Sequence, residues 1–508
     1  AMGYQSLNSG DIESIRDAKT DEMFKDLYLL IDETPSVVDT VSDMVAMTGA
    51  VVGDCVQVQS YTATNNSGIL TFVAVAEFTG TADGGSYING VGVQWKQIFG
   101  PEVSAESFGV GSSTPDDDAG RLQKAINYVS AQGGGSVTFA GTATLASSVT
   151  LAQGVSIVGT LKYPTGWKAN SVYGTKFILQ TGASFLVIAG CVIQGCYIVK
   201  DGVTFPQTAA QALTWTGTAI SGNGAGSAVQ NCLIVGFERA IDIGQTSGTA
   251  RMHIESVYID CQNGVRIKGS IDTDRLIDIH GFPFMLDGAA AIEESARAGI
   301  GIESDGCDGR HMEGCFFYGY NTSYKCGDTN QMLMSNCGSD GPAGSINPDP
   351  TGLLISGTSS NIRVSECRFI GVYNNGMVID TSDDATDNSV NISDCNFSGG
   401  AATNQLHILN AWHVNVSGCS FIGGTSLIRI GADMALQLSV DSSQFVSGVP
   451  LVNTAGSYTT NVIRWGNNNM LLSPPNALWT NSVDQTSSAA SAATMRISTA
   501  SDYINVTG

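Results

Sequence analysis

Apolar and polar positions alternate along residues 362–447 in a ten-residue unit written three times and then blurred once. The copies are Ile-Arg-Val-Ser-Glu-Cys-Arg-Phe-Ile-Gly (362–371), Val-Asn-Ile-Ser-Asp-Cys-Asn-Phe-Ser-Gly (390–399), Val-Asn-Val-Ser-Gly-Cys-Ser-Phe-Ile-Gly (414–423) and Leu-Ser-Val-Asp-Ser-Ser-Gln-Phe-Val-Ser (438–447). In each, the first and third residues are apolar and the second is polar, the period-2 mark of a strand with one buried face. Ser and a small or acidic residue follow as a turn. Cys and Phe then resume the alternation, so Cys367, Cys395 and Cys419 point inward, as do Phe369, Phe397 and Phe421. The copies start 28, 24 and 24 residues apart. Strands this short bury nothing alone, and a chain that bends at a fixed period encloses a core only by stacking its copies, which predicts a parallel β-helix.

The same frame read toward the N-terminus finds weaker copies at 332–337, 310–317, 227–236 and 191–198, with Ser256 and Tyr258 where another belongs. The predicted solenoid spans 137–469, on the order of ten rungs ~4.8 Å apart. Twelve cysteines invite a disulfide reading, but cysteines stacked in register have parallel Cβ vectors that bridge poorly. Reduced core thiols are expected instead, and no C-x-x-C pair argues for a metal.

The flanks read differently. Residues 1–35 form an N-terminal helical segment, of which 1–3 are an expression remnant. Ile12, Ile15, Met23, Phe24, Leu27 and Leu30 share one side of a helix over 11–31, either a core helix or one that meets its copies in an oligomer. Residues 36–104 are a small β module whose strands, at 53–61, 70–75 and 92–98, are cut by Gly and Asn turns. A capping helix over 120–131, with Leu122, Ala125, Ile126 and Val129 on one face, belongs to the opening of the β-helix at 105–136. The polar residues 470–508 are expected to form a small C-terminal cap over the open end.

Composition narrows the partners. Gly at 61 and only 14% charged residues suit an all-β chain rich in turns. A formal charge of −23 argues against nucleic acid and anionic membranes, because counterion release needs Lys and Arg clusters. No apolar run reaches membrane-spanning length, so no membrane insertion is expected.

Several stretches resemble known architecture. Ser107-Phe108-Gly109-Val110, the acidic turn Asp116-Asp117-Asp118, the helix to Ala131, the glycine run 133–135 and the strand to Phe139, continued by 149–151 and 154–159, resemble the opening of a pectate-lyase-like right-handed parallel β-helix. Residues 41–49 with 53–58 and 95–98 resemble the small module that precedes the β-helix in many bacteriophage tailspikes, and 272–284 resembles a mid-helix segment of such spikes. The resemblance implies a homotrimeric spike of the phage virion that binds, and usually cleaves, a bacterial capsular or O-antigen polysaccharide at the cell surface. The virion-anchoring region of such spikes is not found in the sequence, which suggests either a shortened chain or a branched spike docked on other phage tail proteins. The polygalacturonase signature is missing: Arg266-Ile-Lys268 matches one fragment, and neither Gly-His-Gly nor Asn-Thr-Asp occurs.

Hydrolysis of a glycosidic bond takes one protonated and one ionised carboxyl, about 5 Å apart for retention and about 6.5–9.5 Å for inversion. Glu303, Asp305, Asp308 and Glu313 crowd a short stretch directly after an inserted segment, 281–299. Crowding of like charges leaves one group protonated near neutral pH, although ordinary Asp-Gly turns explain each acid singly. These four are the expected catalytic acids. Glu366 and Asp394 precede successive cysteines, stack on consecutive rungs near Arg368, and form the reserve pair or a solvated turn column. The expected substrate contacts are His280, Phe282, His311, Arg310, and Trp215 and Tyr320 as sugar platforms, the last two also readable as core or oligomer contacts. Arg310 occupies the frame position of Ile362, Val390, Val414 and Leu438, so either the frame slips or an Arg is partly buried beside the acids. Asp383, Asp384 and Asp387 read as solvated loop acids or a Ca²⁺ site. No cofactor is expected. The combined reading is a glycoside hydrolase, an endo-acting polysaccharide depolymerase. A polysaccharide lyase of the same fold and a non-catalytic glycan-binding adhesin are the alternatives, the lyase disfavoured by only 23 basic residues.

Overall fold

A computed structural model of the chain describes residues 35–63, 68–76, 79–100, 102–112, 118–161, 174–244, 248–285, 297–341, 350–371, 374–381, 388–399, 404–431, 437–446, 449–453, 462–465, 469–471, 480–481 and 503–505. The expected helix over 11–31, the acids Asp116, Asp117, Asp383, Asp384 and Asp387, and most of the 470–508 cap lie outside these residues. Two compact units divide the chain, Ala1–Thr144 and Leu145–Gly508.

In the first unit, Ser36–Thr40 and Cys55–Ser60 pair in parallel, and Leu70–Val75, Gln94–Ile98 and Tyr87–Asn89 extend the sheet antiparallel. Val56, Val58, Leu70, Phe72 and Trp95 form its core with Met44 from the short helix Val41–Val45, whose N-cap Thr40 makes a capping box with Asp43. The helix Asp118–Ala131 buries Leu122, Ala125, Ile126 and Val129, as their spacing predicts. It is described from Asp118, two residues before the expected start at 120, and the Asp118 carboxylate accepts the amides of Gly111 and Thr144 (2.9 and 3.0 Å).

The second unit is a parallel β-helix with three faces. Face A runs from Val155–Val158 through Asp308–Glu313, Asn330–Ser335, Ile362–Ser365 and Ser389–Ser393 to Gln437–Asp441 and beyond. Face B runs from Lys176–Leu179 through Tyr197–Lys200, Phe316–Tyr318, Gly338–Gly341 and Arg368–Gly371 to Gln444–Val446 and beyond. Face C runs from Val149–Thr150 through Arg239–Ile243, Asn263–Lys268, Arg297–Asp305 and Tyr320–Gly327 to Val449–Asn453 and beyond. Two strands, His253–Asp260 and Asp274–Gly281, pass through the corner between faces A and B and serve both.

The repeat frame is the register of this helix. Phe369, Phe397, Phe421 and Phe445 pair rung to rung, and their rings stack at 5.2, 4.9 and 5.1 Å. At the A–B corner the residue before each inward Cys takes the left-handed conformation: Asn336, Glu366 and Asp394 have φ of 51°, 54° and 53°, and Gly314 and Gly418 take the same corner on other rungs. Each corner carbonyl accepts twice: those of Ser365, Ser393 and Ser417 take the amides of Asn336, Glu366 and Asp394 on the preceding rung at 3.2, 3.0 and 3.0 Å, and the buried thiols of Cys367, Cys395 and Cys419 donate to them as well, at 3.2, 3.2 and 3.3 Å. Ser443 does the same for Asp441 at 3.0 Å where the repeat blurs. All twelve cysteines are free and buried, and burial pushes the Cys326 thiol up to about 11.

Candidate functional site

Outward positions of a solvated strand are polar, yet the early rungs of face B point Tyr197, Leu233 and Tyr258 outward in one column and Val199 and Val235 in the next. Apolar surface of this extent has to be covered. The covering layer comes from two inserted segments: Ala212, Trp215, Phe284 and Met285 pack on the face, with Val203, Phe205 and Phe282 at their margins. Asp260 lies under that layer in the Val199–Val235 column, completely buried. Its carboxylate accepts the amide of Met285 at 2.8 Å and Nη2 of Arg297 at 2.5 Å. The Arg297 guanidinium sits 5.3 Å from the Trp215 ring, and Met285 in turn accepts the amide of Gln207 (2.7 Å). One buried carboxylate therefore ties both insertions to the face. Burial pushes the Asp260 carboxyl upward, opposed by the charge and hydrogen bond of Arg297.

This layer ends in an aromatic step. The His280 ring lies 5.2 Å from Phe316, 5.8 Å from Tyr258 and 5.9 Å from both Phe282 and Phe284, and Phe282 meets Tyr318 at 5.6 Å. Burial holds the imidazole below its ordinary value, and Nε2 is enclosed with no hydrogen-bond partner among the described residues. At the foot of the step, Phe316 is followed in register by Gly338 and Arg368, and Tyr318 by Asp340 and Ile370. Gly338 leaves the Phe316 ring uncovered, since a Cβ there would come within 3.0 Å of Cδ2. Asp340 is half-buried beside that notch, and desolvation raises its pKa. Arg368, Glu366 and Asp394 border the foot and are exposed.

The four acids nominated by the sequence lie elsewhere. Asp242, Arg266, Glu303 and Lys325 alternate in one outward column of face C. Arg266 grips Asp242 through two hydrogen bonds of 2.8 and 2.7 Å, while Glu303 faces Lys325 at 3.1 Å and Arg239 at 3.7 Å. Asp305 pairs with Lys268 at 3.4 Å. Asp308 and Glu313 stand on face A, where Asn330 donates to Asp308 (3.2 Å) and His311 lies 3.8 Å from Glu313. Crowding in sequence is thus resolved over two faces, with cations from other rungs beside Glu303 and Asp305.

Three expected contacts need correction. Arg310 lies inside the β-helix, in register with Asp274 and Met332, and is fully buried. The frame does not slip there, and the partner of Arg310 is Asp274 at 3.2 Å, so it reaches neither the nominated acids nor a ligand outside. Tyr320 is core, 1% exposed, donating its hydroxyl to the Cys261 carbonyl at 3.0 Å. Trp215 is 7% exposed, occupied by Arg297 and the covering layer. Phe282 and His280 belong to the step, and His311 faces outward as its frame position suggests. Asp340 escaped the sequence reading, although a signal exists: Cys337-Gly-Ser-Asp340 breaks the Cys-x-Phe-Ile pattern of the Cys367 copy at both positions it specifies after the Cys.

Comparison with solved structures finds the same architecture in phage tailspikes. The gp42 tailspike of Acinetobacter phage vb_AbaP_AS12 is 16% identical, with 92% of this chain and 79% of that chain covered and a TM-score of 0.54. The tailspike protein of Acinetobacter phage vB_ApiP_P1 is 12% identical, with 91% and 77% covered and a TM-score of 0.50. At such identity the likeness is one of fold: this chain carries a tailspike-like parallel β-helix. No family model matches the chain, and no curated protein matches it.

Proposed function

We propose that this protein is a phage tailspike, acting as a homotrimer, that hydrolyses a bacterial surface polysaccharide at the foot of the aromatic step on face B. The observation that carries this reading is the pairing there of carboxyls in unlike environments: Asp340 half-buried against aromatic surface, and Glu366 exposed on the adjacent rung. Environments that separate two carboxyls divide the roles of acid and base. Asp340 is the proton donor to the leaving oxygen, and Glu366, with Asp394 beside it, supplies the ionised partner. Asp340 pairs with Ile370 on the strand Arg368–Gly371, and Glu366 lies four residues before Ile370, at the A–B corner that precedes that strand. An extended stretch of that length on the adjacent rung spans at most about 14 Å between Cα atoms, which leaves room for a water between the two carboxyls and favours the wider, inverting separation. Phe316, Phe282 and Tyr318 offer apolar faces to a sugar ring. Glu303 and Asp305 each face a cation, Lys325 or Arg239 for the first and Lys268 for the second, instead of an aromatic surface.

Asp340→Asn is expected to lower depolymerisation by about 10²–10⁴-fold, the usual contribution of a positioned acid, while polysaccharide binding persists. Asp305→Asn and Asp308→Asn retain activity. Undiminished activity of Asp340→Asn would sink the assignment. Since desolvation raises the Asp340 pKa, the protonated, active form persists to higher pH than it would for an exposed Asp. Activity should therefore fall along an alkaline limb set by that group, measured as kcat/KM against pH. A lyase reading is favoured by Arg368 alone, which could neutralise a uronate beside the notch. An unsaturated, ultraviolet-absorbing product would establish it, and binding without any cleavage would establish an adhesin.

A further inference from the structure

The inward column of face A is apolar on the rungs of Met332, Ile362, Val390, Val414 and Leu438, and it is interrupted on two adjacent rungs by Asp274 and Arg310. Both side chains are 0% exposed. Asp274 Oδ1 accepts the Met252 amide at 2.8 Å, and Arg310 Nη2 donates to Cys307 Sγ at 2.8 Å. Among the described residues Nε and Nη1 of Arg310 have no acceptor and Asp274 Oδ2 has no directed donor. The Ser304 hydroxyl, inward on face C three residues before Cys307, is fully buried and unpartnered as well.

We propose that these groups form a closed hydration site inside the β-helix, holding about two ordered waters that accept from Nε–H and Nη1–H of Arg310 and donate to Asp274 Oδ2 and Ser304 Oγ. Buried N–H groups in native proteins find partners in protein or ordered water. The ligand here must both accept and donate, and it must be small enough to be enclosed as the rungs close. Charge selects water over an ion. Asp274 already balances Arg310, so an anion would leave an uncompensated charge in a low-dielectric interior, and a cation would confront the guanidinium. The site and the ion pair then behave as one unit: removing one member strands the others, and removing both charges restores an apolar column like that of the later rungs.

A crystal structure of the full chain at a resolution that shows ordered solvent tests this directly. Water density within about 2.7–3.2 Å of both nitrogens is expected. An interior without it, or an Arg310 turned onto backbone carbonyls, overturns the proposal. In solution, Arg310→Met, copying Met332 of the next rung, should lower Tm by several degrees, and adding Asp274→Leu should recover most of that loss. Losses that simply add in the double variant count against the site. Should Arg310→Met fail to fold, the wild-type crystal decides. Neither measurement depends on polysaccharide cleavage.

Discussion

Rungs from Ile362 onward and rungs between His253 and Gly341 share one register but use it in opposite ways. In the later rungs each interior column repeats one kind of residue, Val or Ile, then Cys, then Phe, and every corner thiol answers the same carbonyl. In the earlier rungs the interior holds Asp274, Arg310 and Ser304, and the exterior holds Asp260 and Arg297 beneath a second apolar layer. A solenoid is stabilised rung against rung, so a few rungs can carry unusual chemistry while regular neighbours hold the frame. The later rungs serve as scaffold. The earlier ones spend their irregularity on a shaped outer surface.

The largest effect expected from breaking this contrast is at Arg297. Arg297→Ala strips the buried Asp260 of its counter-charge and hydrogen bond and should destabilise the covering layer by about 3–5 kcal/mol, whereas Cys395→Ser, which repeats what Ser443 already does, should cost no more than about 1 kcal/mol. Protease susceptibility of 201–216 and 282–285 in the first variant, against chemical denaturation of the second, measures the difference. Next comes Glu366, held at φ 54° in a corner that Asn occupies at 336 and Asp at 394. Glu366→Asn should gain up to about 1 kcal/mol by relaxing that backbone and lose depolymerase activity if Glu366 is the ionised partner. A variant both stabilised and fully active would return Glu366 to the scaffold. The smallest effect is at His280, whose folded pKa burial depresses. Its neutral form is favoured by the fold, so its contribution is complete above the ordinary value of about 6.5 and is lost as pH falls through the depressed one. The Tm gap between wild type and His280→Phe should accordingly widen in favour of the variant on acidification, and a constant gap would contradict the enclosed position of the ring.

How far all this could be read in advance follows from the range of the forces involved. Period-2 alternation, the turn at the corner and the column of small thiols are local or nearest-rung properties, and they were legible from Ile362 to Phe445 and, more faintly, back to Cys191. Arg310 was visible as a break in the frame, but its partner, Asp274, lies 36 residues earlier in a column that only the register reveals. The acids at 303–313 looked crowded because sequence distance hides Lys325, Lys268 and Arg239, which arrive from other rungs. Trp215 and Tyr320 looked like platforms because aromatic character says nothing of what is packed on it. By itself the sequence determined the solenoid, since a rung and its turn are written in each repeat. Only the tertiary structure decided which carboxyls are neutralised, which aromatics are covered and where the outer surface stays open, since those depend on inserted segments docking across many rungs, where burial and charge pairing are set by neighbours far away along the chain.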